Sequence, residues 1–126
     1  MSRILIVDPD ASIRALLVAL LRRGGIDSDC VGDREAAMQH AMSHRYAAVI
    51  LEPRMNDGDA LLNELYAACG DGQPNIIIAT TPDARTAAFA FRAGVRTILL
   101  KPFRIEDFYE TVAACCDGGA KGSILV

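Results

Sequence analysis

Residues 3–21, "RILIVDPDASIRALLVALL", hold two hydrophobic rhythms back to back. The apolar run Ile4–Val7 is as short as a strand and ends at Asp8. After it Ile13, Leu16, Leu17, Leu20 and Leu21 recur at the i, i+3, i+4, i+7, i+8 spacing of an amphipathic helix. Gly24 and Gly25 then close the helix, because glycine takes the backbone conformations that end one. The unit is a strand followed by a covering helix.

The same unit returns along the chain. A weaker strand is expected around Ser28–Val31, with a helix from about Asp33 to Ser43 bearing Ala36, Ala37, His40 and Ala41 on one side. "YAAVIL" is the third strand, and Asp59 is placed to cap a helix carrying Leu61, Leu62, Leu65 and Tyr66. "NIIIA", "ARTAAFAFRAG", "TILL" and "RIEDFYETVAACC" complete the series as strand, helix, strand and helix. Strands that read as continuous apolar runs are buried on both faces, so the pattern predicts one doubly wound α/β domain of five βα units around a parallel sheet. Residues 1–117 form this domain, and the aperiodic, glycine-rich 118–126 is expected as a flexible tail.

Composition bounds the function. The 126 residues suffice for one core, and 52% hydrophobic with 23% charged residues is ordinary globular usage. No apolar run approaches the length of a membrane span, and the N-terminus lacks the features of a signal peptide, so a cytoplasmic chain without membrane attachment is expected. A net charge of −3 with scattered arginines argues against direct nucleic-acid binding. The four cysteines, Cys30, Cys69, Cys115 and Cys116, show no CxxC spacing and are expected as reduced, mostly buried thiols.

In an open α/β sheet, functional groups gather beyond the carboxyl ends of the strands. Here those ends carry Asp8 and Asp10, then Glu52, then Thr80 and Thr81, then Lys101: an acidic pocket with one lysine. With "ILIVDPD", "RMNDGDALL" and "FRAGVRTILLKPF", the chain resembles the receiver domain of two-component response regulators over nearly its whole length. That resemblance implies a flavodoxin-like sheet in the order 2-1-3-4-5. It also implies a Mg²⁺-dependent phosphoacceptor site made of two acids after the first strand, an aspartate after the third, a hydroxyl after the fourth and a lysine after the fifth.

Carried over position by position, Asp8 matches the first acid and Pro9 stands where the second belongs, with Asp10 one residue beyond. Glu52 falls on the phosphoacceptor position, one methylene longer than aspartate. An ungapped count puts Ala79 on the hydroxyl position, and a slip of one residue would put Thr80 there. Ile98 replaces the aromatic of the family's switch. Lys101-Pro102-Phe103 matches the lysine motif, whose X-Pro bond in the family is typically cis and would aim Lys101 inward.

These departures predict an atypical receiver, phosphorylation-independent and not an enzyme, that acts in signalling by protein contact. Glu52 is expected to pair with Lys101, either imitating a phosphoryl group or filling its place. No cofactor is expected; Asp8, Asp10 and Glu52 are the candidate ligands should Mg²⁺ bind. The rival readings are a Mg²⁺-dependent phosphoacceptor that uses Glu52, and a small-ligand module. Expected partners are a histidine kinase, another regulator, an output protein or a second copy. They would meet the face of the fourth helix, fifth strand and fifth helix, where Phe89 is expected to point outward. His40 and His44, at i and i+4, are taken as structural for want of a third ligand, and the "NDGD" turn lacks the ligand pattern of a Ca²⁺ loop.

Overall fold

The computed structural model describes residues 3–55, 58–69, 75–81, 97–116 and 124–125. The chain runs β1 (Arg3–Val7), α1 (Ala11–Arg23), β2 (Asp27–Val31), α2 (Arg34–Ser43), β3 (Ala48–Leu51), α3 (Gly58–Cys69), β4 (Asn75–Thr80), β5 (Thr97–Leu100), α4 (Ile105–Cys116) and β6 (Ile124–Leu125). The helix α4 is the last one expected from the sequence. The expected fourth helix, with Phe89, lies outside the described residues, as do Asn56 and Asp57 of the "NDGD" turn.

All strand pairs are parallel, and the order is β2-β1-β3-β4-β5-β6. The expected 2-1-3-4-5 core is present, with one strand more. An order ending at β5 leaves a row of unpaired backbone groups along its outer edge. Ile124 and Leu125, within the segment expected as a tail, pair there opposite Ile98 and Leu99.

Period-2 alternation sends successive strand residues to opposite faces. Leu5, Val7, Val49 and Leu51 pack with Ala37 of α2 and Leu61, Leu62 and Leu65 of α3. Ile4, Ile6, Ile50 and Ile77 pack with Leu17 and Leu21 of α1 and with Phe108 and Val112 of α4. Each fully buried leucine contributes about 1.5–3 kcal/mol over an exposed one, so the two cores rather than helix propensity hold the layers together.

The helix ends follow the sequence in most places. Asp10 caps α1, accepting from the backbone N–H of Ser12 at 2.8 Å and of Ile13 at 3.4 Å. Gly24 is its C-cap, and Gly25 takes φ +77°, open to glycine without strain. Asp33 caps α2. Asp59 is not the cap of α3: the helix begins one residue earlier, at Gly58, and Asp59 sits in its first turn, where a carboxylate still favours the helix dipole. A side chain at 58 is blocked, since a Cβ there would run into the Pro53 carbonyl oxygen. Two apolar expectations also shift. Leu16, about 100° around α1 from Leu17, is 47% exposed, and Cys30 on β2 is an exposed free thiol. Among the described residues no helix is long and apolar enough to cross a membrane.

Candidate functional site

Strand register assembles the site. Val7 of β1 lies opposite Leu51 of β3, so the next residues, Asp8 and Glu52, leave the sheet side by side, with the Glu52 N–H donating to the Val7 carbonyl at 2.9 Å. Thr80 of β4 lies opposite Leu100 of β5, and the Lys101 N–H donates to the Thr80 carbonyl at 2.7 Å. Ile6, Ile50, Ala79 and Leu99 belong to the core under α1 and α4. Alternation therefore brings Asp8, Glu52, Thr81 and Lys101 out on that same face.

Lys101 closes the pocket. Its Nζ donates to Asp8 Oδ2 at 2.8 Å and to Glu52 Oε1 at 3.3 Å, and the bond into Pro102 is cis. The pairing with Glu52 expected from the sequence is present, and the closer partner is Asp8. The two acids are 3% and 8% exposed, so their charges are held by contacts rather than by water. Asp8 Oδ1 accepts from the Asp10 N–H at 2.9 Å, and Glu52 Oε2 accepts from the Arg54 N–H at 3.1 Å. All four carboxylate oxygens thus have a protein donor.

Around this centre stand two arginines that sequence reading did not assign to the pocket. The Arg54 guanidinium donates to Thr81 Oγ1 across the mouth. Arg14 reaches from the first turns of α1 to the Asp8 carbonyl at 2.7 Å. Two steps of alternation from Ala79 give Thr81, a signal present in the sequence; the reach of the two arginines has no such signal.

Two expected site residues, Asp10 and Thr80, are elsewhere. Asp10 is not part of the acidic pocket: its exposed carboxylate is turned back onto the start of α1 as the cap. Thr80 is one step out of phase with Ala79. It faces the other side of the sheet, and among the described residues its buried hydroxyl has no hydrogen-bond partner. Ala79 therefore holds the pocket-facing place at the end of β4. Ile98 is buried in the core toward α2 and α3.

The donor set of a magnesium ion is not brought together. Pro9 offers no carboxylate, Asp10 is engaged in capping, and an ammonium lies against both remaining acids. Among the described residues no three His, Cys, Asp or Glu side chains come together to hold a metal. The residues present do not fit that ion. His40 and His44 stack at 6.0 Å between centroids, and His40 Nδ1 bonds the Ala36 carbonyl, a contact within α2.

Toward the opposite, amino-terminal end of the sheet, a second polar cluster ties β1 and β2 to the segment that leads into β3. Tyr46 donates to Asp29 Oδ2 at 2.7 Å, and Arg3 contacts Asp29 Oδ1 at 3.0 Å. Burial pushes the Asp29 carboxyl up, but the bonds from Tyr46 and Arg3 outweigh it and hold the carboxyl below its ordinary value. Burial and the bond to Asp29 push the Tyr46 phenol up.

Known proteins resemble the chain over most of its length. The DNA-binding response regulator MtrA of Mycobacterium tuberculosis is 28% identical over 115 residues, covering 89% of this chain and 49% of that protein. The chain spans about half the length of the curated relatives it matches. A response regulator receiver protein from Burkholderia phymatum superimposes with a TM-score of 0.81 at 29% identity, covering 98% of this chain and 100% of that one. The receiver domain of sensor histidine kinase PA1611 from Pseudomonas aeruginosa, which has a magnesium ion in its active site cleft, gives 0.83 at 24% identity. It covers 92% of this chain and 98% of its own, a likeness of fold. The model of the response regulator receiver domain matches residues 4–113, from the first buried strand residue into the last helix, and by that match the chain belongs to the receiver domains of two-component signalling.

Proposed function

We propose that this receiver signals without accepting a phosphoryl group, presenting a fixed surface to a protein partner. One observation carries the reading: Lys101 Nζ is in contact with both Asp8 and Glu52, and Glu52 also takes the Arg54 N–H. In the family the lysine answers a phosphoryl group on the aspartate. Here the longer carboxylate of Glu52 draws the lysine and a backbone N–H directly, so the pocket rests in one closed arrangement.

The remaining machinery points the same way. In-line attack needs close placement, and one extra methylene moves the carboxylate by about one bond length, ~1.5 Å. Ala79 has no hydroxyl to bond a phosphoryl oxygen, and the Thr81 hydroxyl already takes the Arg54 guanidinium. Ile98 has no ring to turn, so phosphate has no two-state element to bias. Among the described residues no three His, Cys, Asp or Glu side chains come together to hold a magnesium ion.

The partner is a protein: a histidine kinase, another regulator, an output protein, or a second copy through the face that β5 and α4 would share with the helix expected from the sequence before β5. The DNA binding in MtrA's name belongs to a protein twice this length, and this chain's net charge of −3 suits protein contact better. A cytoplasmic location goes with that role. The test is incubation with a small acyl phosphate and Mg²⁺, read by intact mass. The mass is expected to stay unchanged, and a gain of one phosphate mapped to Glu52 would establish the rival reading of a working glutamyl phosphoacceptor.

A further inference from the structure

The two flanks of the sheet differ in chemistry. β2, at one flank, reads Asp27-Ser28-Asp29-Cys30-Val31, and charged side chains on an edge strand deter a further strand from pairing. β5, near the other, reads Thr97-Ile98-Leu99-Leu100 and carries no charge. The Lys101 N–H donates inward, to the Thr80 carbonyl of β4. Backbone groups of successive strand residues point to alternate sides, so the N–H groups of Ile98 and Leu100 point outward, away from β4. Ile124 and Leu125 run parallel along that outer side, opposite Ile98 and Leu99. The same alternation turns the N–H and carbonyl of Leu125 toward β5 and those of Ile124 away from it.

We propose that the outer edge of β5 accepts an extended apolar segment of a partner protein, and that Ile124 and Leu125 hold that place until the partner displaces them. Among the described residues the resident strand pairs with Ile98 and Leu99, half of the four residues of β5. A segment that runs parallel to β5 along all four makes more main-chain bonds than the resident. Strand addition of this kind draws its affinity from the main chain and its specificity from alternate side chains, and the resident's own Ile-Leu pair shows the apolar character that fits. Because the resident belongs to the same chain, its effective concentration is high, and it screens out segments that pair weakly. The inference rests on the proposed function for one point, that a protein partner meets the side of β5, and adds what that partner presents.

The probe is a fluorescein-labelled peptide of residues 120–126, AKGSILV, titrated into the full chain and into Leu125→Pro, which lacks the N–H that faces β5. Fluorescence anisotropy is expected to show saturable binding to Leu125→Pro, about tenfold or more tighter than to the parent, because the variant's edge is open. A peptide carrying the same proline should bind neither. Amide exchange at Leu100 should quicken in the variant, while that at Lys101, bonded to Thr80, stays as in the parent. Equal binding by parent and variant, binding of the proline peptide, unchanged exchange at Leu100, or no binding by the folded variant overturns the inference. A Leu125→Pro chain that fails to fold also overturns it, since a strand the domain cannot lose is not one that a partner displaces. A parent that takes up phosphate while the variant binds peptide sinks the proposed function alone; an unphosphorylated parent beside a variant blind to the peptide sinks this inference alone.

Discussion

Lys101→Met gives the sharpest reading of the pocket's energetics. At an effective dielectric of about 20, unit charges at the 2.8 Å Asp8 contact and the 3.3 Å Glu52 contact attract by about 6 and 5 kcal/mol. Desolvation of the lysine, whose side chain is 14% exposed, offsets much of that, as does repulsion between the two acids. Removing the ammonium strands both acids, and breaking a buried pair in this way costs about 3–5 kcal/mol. Glu52→Gln behaves differently. It keeps an oxygen for Lys101, leaves the closer Asp8 contact in place and takes the pocket from one net negative charge to none, so a loss of about 1 kcal/mol or less is expected. In the double variant, Glu52→Gln should recover about 1–2 kcal/mol of the Lys101→Met loss by ending the acid–acid repulsion. Urea unfolding of the four proteins, followed by far-UV circular dichroism with a common slope, measures all three figures. A Lys101→Met protein within about 1 kcal/mol of the parent, or a Glu52→Gln protein less stable than Lys101→Met, would refute the charge reasoning.

Restoring the family residues together, Pro9→Asp, Glu52→Asp and Ala79→Thr, should let an acyl phosphate donor with Mg²⁺ add one phosphate by intact mass. Glu52→Asp alone should stay unmodified, because the second acid and the hydroxyl are still missing. Thr80→Val removes a buried hydroxyl that has no partner among the described residues while keeping the shape, and should raise stability by up to about 1 kcal/mol in urea; a loss of that size would mean the hydroxyl is satisfied. Tyr46→Phe should cost about 1 kcal/mol at neutral pH by deleting the 2.7 Å bond to Asp29. The folded Asp29 carboxyl lies below its unfolded value, so its stabilisation is present above the unfolded value and lost as pH falls through the folded one. The parent's stability should therefore fall more steeply than the variant's in that acid range, and parallel acid profiles would contradict the link between Tyr46 and Asp29.

The fold was legible because its signals repeat. Apolar strands followed by a 3.6-residue stripe recur through the chain, and burial of those stripes on either side of the sheet is what holds the domain. Signals carried by one or two residues were less legible. Ile124 and Leu125 have no period to read, and their place comes from the open edge of β5. In the pocket, the family positions fixed Asp8, Glu52 and Lys101, and alternation could have separated Ala79 from Thr80 without a structure. That Asp8, rather than Glu52, is the nearer partner of Lys101 depends on side-chain reach, which spacing does not contain. The arginine contacts to Thr81 and to the Asp8 carbonyl escape for the same reason.

Asp10 shows how the separate departures fit one another. A carboxylate one residue after Asp8 reads from spacing as a pocket acid, yet it accepts from Ser12 and Ile13 and so secures the start of α1, a contribution of about 1 kcal/mol. With proline at the family's second-acid position, the neighbouring Asp10 carboxylate lies outside the pocket and caps the helix. The family's three acids and one lysine leave a site two charges negative, which an external divalent cation balances. Here two acids and one lysine leave a single negative charge, and Lys101 touches both acids. The longer side chain of Glu52 spans from Lys101 to the Arg54 N–H, and Ala79 adds no polar group that needs a partner. Each change alone would impair a phosphoacceptor. Together they give a pocket in which Asp8, Glu52 and Lys101 are all partnered within the protein, and the proposed phosphorylation-independent surface rests on that internal balance.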